Sequence, residues 1–164
     1  MLTFEGLTSS RDRLAAFERS CRAVASADTQ ACAAIAENLA RAALAGKVLT
    51  YWGLASGVRF RAPGEVERRS LLAGDSVLRS EDLAVLNGIL SFLTVQSYRG
   101  GRIVASALVV DRLRPRPCQP FLEFSFALGL VSQNRSKTHE DFWLREQAKV
   151  FAFFNRPISP PRSF

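Results

Sequence analysis

Histidine occurs once, at position 139, and cysteine three times, at positions 21, 32 and 118, with no C-x-x-C pair. One histidine excludes metal chemistry built on several, and the scattered cysteines indicate neither a zinc cage nor a disulfide framework. No apolar run reaches the ~18 residues that suggest a membrane span, so no membrane association is expected. The opening MLTFEGLTSSRD has no basic segment leading into an apolar one. A secretory signal is therefore not expected, and the cytoplasm is the expected compartment. No phosphate-cradling G-x-x-x-x-G-K-[ST] or G-x-G-x-x-G is present, and no metal or cofactor is expected.

Lysine is also scarce. Of the 22 cationic residues, 3 are lysine and 19 arginine, against 15 acids, for a net charge of +7. Arginine's planar fork matches phosphates and base edges better than an ammonium does. The charge is concentrated: Arg99, Arg102, Arg112, Arg114 and Arg116 against Asp111 give +4 within residues 99–116, leaving +3 for the rest. Such a local excess points to an anionic partner, nucleic acid first. A chain of 164 residues with 48% apolar content can fill a core and suits one domain, here residues 1–154.

Periodicity supplies the elements. Residues 9–25 read as an amphipathic helix with Leu14, Phe17, Cys21 and Val24 on one face and Ser9 or Ser10 as cap. Residues 28–45 form a second helix, capped by Asp28 and stopped by Gly46, with Cys32, Ile35 and Leu39 on its stripe. Cys21 and Cys32 pack as small hydrophobes. This N-terminal helical pair (9–45) offers either a homodimer interface or a face that packs on the domain itself. Val48 and Leu49 are extended, and Thr50 caps a short helix over Tyr51–Ser56 that ends at Gly57. Residues 59–79 look like an insertion, with a turn at Pro63-Gly64 and a helical turn or two within EVERRSLLA. Residues 80–98 form the clearest helix, capped by Ser80, with Leu83, Leu86, Leu90 and Leu93 in one stripe and Gly100-Gly101 ending it.

Two β-prone runs follow, Ile103–Val110 and Pro120–Phe126, with DRLRPRPCQ between them. They read as a hairpin with a basic tip, stiffened by Pro115 and Pro117. Thr138-His139-Glu140-Asp141 fits a capping box that opens the last helix (138–154), on which Phe142, Leu144, Val150 and Phe153 stand out. The tail 155–164, NRPISPPRSF, is proline-rich and expected to be disordered. Two helices followed by a hairpin is the order of a winged helix. The expected fold is therefore α+β: a winged-helix core (46–130) with an N-terminal helical pair and a C-terminal helix.

GKVLTYWGLA (46–55) resembles the G-x-h-x-T-Y-x-x-L-A opening, with h apolar, of the winged-helix DNA-binding domain of alkylguanine-DNA alkyltransferases and alkyltransferase-like proteins. A longer stretch, about residues 46–154, resembles a group of small bacterial and phage proteins. Those continue with a segment like L-T-A-L-V-V and end in F-W-x-x-Q-x-x-V-F-A-F. This chain has Ala107-Leu108-Val109-Val110, and later Phe142-Trp143, Gln147 and Val150-Phe151-Ala152-Phe153. The resemblance implies a winged-helix DNA-binding domain. Residues 59–79 have no counterpart in the pattern, and arginine, proline and cysteine replace the glycines of the hairpin tip. The alkyltransferase P-C-H-R is absent: Pro117-Cys118-Gln119-Pro120 lacks the histidine that activates the thiol. Cys118 is expected to be an exposed loop thiol, and the protein not an enzyme.

The remaining chemistry has bland readings. His139 has no identifiable partner set and is expected to be an exposed first-turn residue. Gly74-Asp75-Ser76 resembles a serine-hydrolase nucleophile block but lacks the preceding strand and later D-x-x-H, so it reads as a turn. Glu65 with Glu67, and Glu140 with Asp141, lie in charged runs and are expected to be solvated. Phe142, Trp143, Phe151, Phe153 and Phe154 suit a core stripe more than a base-stacking surface.

The function expected is non-enzymatic binding of double-stranded DNA. Helix 80–98 would face the major groove through Arg79, Ser80 and Asn87. Arg112, Arg114 and Arg116 would be the wing, with Arg99 and Arg102 in the same basic segment. Arg59, Arg61, Arg68 and Arg69 would grip backbone from the insertion. Six to eight phosphate contacts would give a log-affinity against log-salt slope of about −5 to −7. The other reading on the same fold is a protein–protein interaction module, an accessory or inhibitor protein of a phage, mobile element or defence system, whose arginine loop meets an acidic protein surface. Glu81 and Asp82, at the start of the same helix, repel phosphate and weigh toward a core role for it.

Overall fold

Helix starts in this chain are written by short polar side chains. Ser9 Oγ accepts the amide of Asp12 and opens α1 (Ser10–Ala27). Asp28 accepts the amide of Ala31 and opens α2 (Thr29–Leu44). Thr50 accepts the amide of Gly53 and opens α3 (Tyr51–Ala55). Each satisfies a backbone donor that a helix end leaves without an internal partner. Gly46 and Gly57 follow the second and third helices at φ +63 and +72, where side chains are disfavoured. The computed structural model describes residues 9–61, 69–70, 80–111, 116–131 and 136–155. It is mostly helical with a small sheet of two parallel strands, an α+β arrangement in the coarse sense.

The longest helix, α4 (Ser80–Gly101), forms the axis of the molecule. Val85, Leu86, Ile89, Leu90, Ser91, Thr94 and Val95 are all buried. α1 lies antiparallel along it: Val24 meets Gly88, while Glu18 meets Gln96 and Arg99. The approach at Gly88 is so close that a Cβ there would fall 2.7 Å from a Val24 methyl. Phe17, Cys21 and Ala25 of α1, and Ala31, Ile35 and Leu39 of α2, are buried. The apolar faces of the helical pair therefore pack on the domain itself. Asn38 of α2 donates to the carbonyls of Leu54 and Ser56 and holds the end of α3.

After α4 the chain turns at Arg102 (φ 55), the one non-glycine residue with positive φ among those described. The hydroxyl of Ser97 reaches the Ile103 carbonyl at 3.0 Å and accepts the Ala105 amide, closing this turn. Every residue from Ile103 to Val110 is buried. Only Val109–Val110 is strand, preceded by a 3₁₀ turn at Ala105–Leu108. The strands are β1 (Leu49–Thr50), β2 (Arg59–Phe60), β3 (Arg69–Ser70) and β4 (Val109–Val110). β1 and β4 pair in parallel, Leu49 with Val109 and Thr50 with Val110, and β2 and β3 pair antiparallel.

This corrects the expected hairpin. Its second strand is a helix, α5 (Gln119–Ala127), and its first runs parallel to β1. Pro120 sits in the first turn of α5, where its missing N–H costs nothing. Phe121, Phe124 and Leu128 fall on one buried face at helical spacing. Of the hairpin there remains one antiparallel bridge, Val110 with Pro117, and a bond from the Asp111 amide to the Arg116 carbonyl. The insertion is also corrected in part: Arg69–Ser70, expected in a helical turn, pair with β2.

Phe124 joins the layers. Its ring lies edge-on to Phe17 of α1 and Tyr98 of α4, while Phe121 leans on Phe142 of α6 (Ser136–Phe154). Phe121 and Phe124 are completely buried, which stabilises by about 1.5–3 kcal/mol each. α6 begins earlier than the expected capping box. Among the residues whose burial is described, Trp143, Glu146 and Val150 are buried, whereas Leu144 is 51% exposed and Phe153 is also exposed. Trp143 Nε1 and Gln147 Nε2 both donate to the Ala107 carbonyl, at 2.8 and 2.9 Å, and clamp the 3₁₀ turn onto α6. His139 is half-buried rather than exposed, its ring edge-on to Phe126. Among the described residues no helix is long and apolar enough to cross a membrane.

Candidate nucleic-acid interface

Because β1 and β4 are parallel, both run out at the same end of the molecule. Thr50 leads straight into α3 there, and Val110 leads into the arginine loop and then α5. The loop is short and its base is fixed. Val110 bridges Pro117, Asp111 bonds Arg116 through the backbone, and the Arg116 guanidinium meets the Asp111 carboxylate at 2.9 Å. Arg116 is exposed. Arg112 and Arg114 lie outside the described residues.

Around Tyr51, which directly follows β1, is a neutral polar cluster. Tyr51, the first residue of α3, donates its hydroxyl to Asn87 Oδ1 of α4 at 2.7 Å. Cys118, the residue before α5, donates its thiol to the Ser106 carbonyl at 3.3 Å and lies beside the Tyr51 hydroxyl. Burial pushes the Cys118 thiol up to about 12, the Phe121 amide and the Tyr51 hydroxyl pulling the other way by less. Burial and then Cys118 raise the Tyr51 phenol above its ordinary range. Neither group ionises near neutrality. Cys118 is 2% exposed, not the expected loop thiol. A nucleophilic cysteine needs access and a thiolate, and this one has neither. Among the described residues no cluster of histidine, cysteine, aspartate or glutamate could hold a metal ion.

The expected DNA-contacting residues fall into separate places. Ser80 is exposed at the start of α4, beside exposed Glu81. Asn87 is half-buried and its amide oxygen is engaged by Tyr51, so it is not an outward-facing reader. With α1, α5 and the 3₁₀ turn packed around it, α4 is a core helix and not a free recognition helix. Arg99 lies near its far end, ~18 Å of helix beyond Asn87, and Arg102 just past that end. Arg99 pairs with Glu18 at 2.6 Å, and the Arg102 guanidinium stands 5.1 Å over the Tyr98 ring. Arg59 and Arg61 are exposed on and just after β2, and the Arg61 amide donates to Asp28 Oδ2. Arg69 is on β3 opposite Phe60. Arg68 and Arg79 lie outside the described residues.

Sequence reasoning missed the Tyr51–Asn87 bond, the clamp on Ala107 and the role of Glu18. For Glu18 a signal existed, since Glu18 and Arg22 are spaced i, i+4 on a helix. The other two join elements far apart in sequence and leave no local trace. Compared with known protein families, characterised proteins and solved structures, the chain matches none.

Proposed function

We propose that the protein is a non-enzymatic, cytoplasmic DNA-binding protein that holds duplex DNA chiefly by its phosphates, through Arg112, Arg114 and Arg116. The observation that carries this reading is the anchored base of the arginine loop. Its two ends are bridged at Val110 and Pro117, and Cys118 ties the following helix to Ser106. A cation on a fixed base loses less freedom on binding than one on a loose tail. The positive end of the α5 dipole adds to the local field. The winged-helix form of the reading rests on the succession α3, α4, basic loop. Against it, the loop's antiparallel support is one bridge and not a two-stranded wing.

The burial of α4 favours phosphate contact over base readout, so affinity should depend little on sequence and strongly on salt. A gel shift with nonspecific duplex DNA at 50 and 200 mM salt tests this. The expected outcome is retardation at the lower salt and its loss at the higher. The same burial supports a second reading, in which the loop meets an acidic protein surface. No retardation at the lower salt would favour that reading.

A further inference from the structure

Glu18 is an acid in an unusual place. Its side chain is 5% exposed, on the face of α1 that packs against α4. Both carboxylate oxygens are held by arginine: Oε1 by Arg22 from its own helix, Oε2 by Arg99 from α4 at 2.6 Å. Gln96 also points its amide at Oε1. An isolated buried carboxylate is costly, and two cations offset that cost. The result carries net charge +1 at the rim of the α1–α4 seam. Arg22 and Arg99 remain 60% and 45% exposed, and a guanidinium has five N–H donors, so each keeps donors for solvent or a ligand.

Arg102 belongs to the same end of α4. It occupies the left-handed region, where glycine is the usual residue, and its guanidinium is stacked over Tyr98. Tyr98 is itself braced by Phe124. Arg22, Arg99 and Arg102 are thus each held by a neighbour. The other described acids of α1 and α4 lie away from this end. Asp12, the remaining acid of α1, is in its first turn and takes the Ser9 hydroxyl, and Glu81 and Asp82 are at the opposite end of α4.

We propose that Arg22 and Arg99, clamped on Glu18, form with Arg102 a second phosphate-binding point for the duplex, separate from the arginine loop. It rests on the DNA reading above. The duplex would then be touched at two separate places, the arginine loop and this end of α4.

Two variants test it by the salt dependence of affinity for a nonspecific duplex. Glu18→Gln/Arg22→Gln/Arg99→Gln removes the clamp as a neutral set, with thermal melting as the check on folding. Arg102→Gly suits the left-handed backbone and keeps the fold while removing one cation. The expected slope becomes shallower by about 0.9 for each variant, since each removes one net positive charge and hence one neutralised phosphate. Unchanged slopes in both, with the loop variant still shallower than the parent, overturn the second point and leave the loop reading standing. No salt-dependent binding by the parent protein overturns both.

Discussion

Tyr51 and Cys118 show how one residue's surroundings decide its chemistry. A thiol next to a helix start could be activated, but burial outweighs the helix field and keeps it protonated. Burial acts likewise on Cys21, raised to about 11. The unfolded chain ionises each thiol near 9, while the folded chain holds the proton until about 11 for Cys21 and about 12 for Cys118. Protons are then bound more tightly by the native state, so each thiol's contribution is fully present below pH 9 and is lost as pH rises, by about 1.4 kcal/mol per unit for fully buried Cys118 and by less for Cys21. Cys118→Ser keeps a donor to Ser106 and removes one titration. Urea unfolding at pH 8 and pH 10.5 should show a smaller alkaline loss in this variant than in the parent; an equal loss would contradict the assignment. Residue roles set by near neighbours were legible in the sequence, as the caps Ser9, Asp28 and Thr50 show. Roles set by distant partners were not. Asn87 finds Tyr51, and Glu18 finds Gln96 and Arg99, only once the fold exists.

Element by element, the helices to residue 101 followed their periodicity, and the error came at the aromatic run after the arginine loop. FLEFSF carries residues favoured in strands, and a flanking basic turn made a hairpin the natural reading. The decisive local sign was Pro120, which suits a helix's first turn and is awkward in a paired strand. The run IVASALVV held a second sign. It does not alternate, so both faces had to be covered, as they are, and an exposed wing would alternate. Glu123 is exposed inside α5. Glu123→Pro should cost ~3 kcal/mol or more in chemical denaturation, since it removes a helical hydrogen bond and clashes with the preceding turn. A loss under 1 kcal/mol would speak against the helix. For the α1–α4 contact, Gly88→Ala should destabilise by about 1–3 kcal/mol, because the new methyl meets the Val24 Cβ at 2.9 Å as well as its methyls. Unchanged unfolding would mean that the two helices are further apart.

Across the whole molecule, one helix sets the distribution of charge. α4 keeps Glu81 and Asp82 at its amino end and Arg99 at its carboxyl end, in keeping with its dipole. β1 and β4 pair in parallel, and Tyr51, which follows β1, bonds Asn87 of that helix. The chain's excess of cations was plain from its sequence, but their division into two places was not. Residues 99–116 looked like one basic segment, whereas the buried run Ile103–Val110 separates Arg102 from the loop. The most direct test of the account is the affinity for a nonspecific DNA duplex across a salt series, compared between the parent and the Arg112→Ala/Arg114→Ala/Arg116→Ala protein. Losing three phosphate contacts should make the log–log slope shallower by about 2.7 and weaken binding most at low salt. Identical slopes and affinities for the two proteins would contradict it.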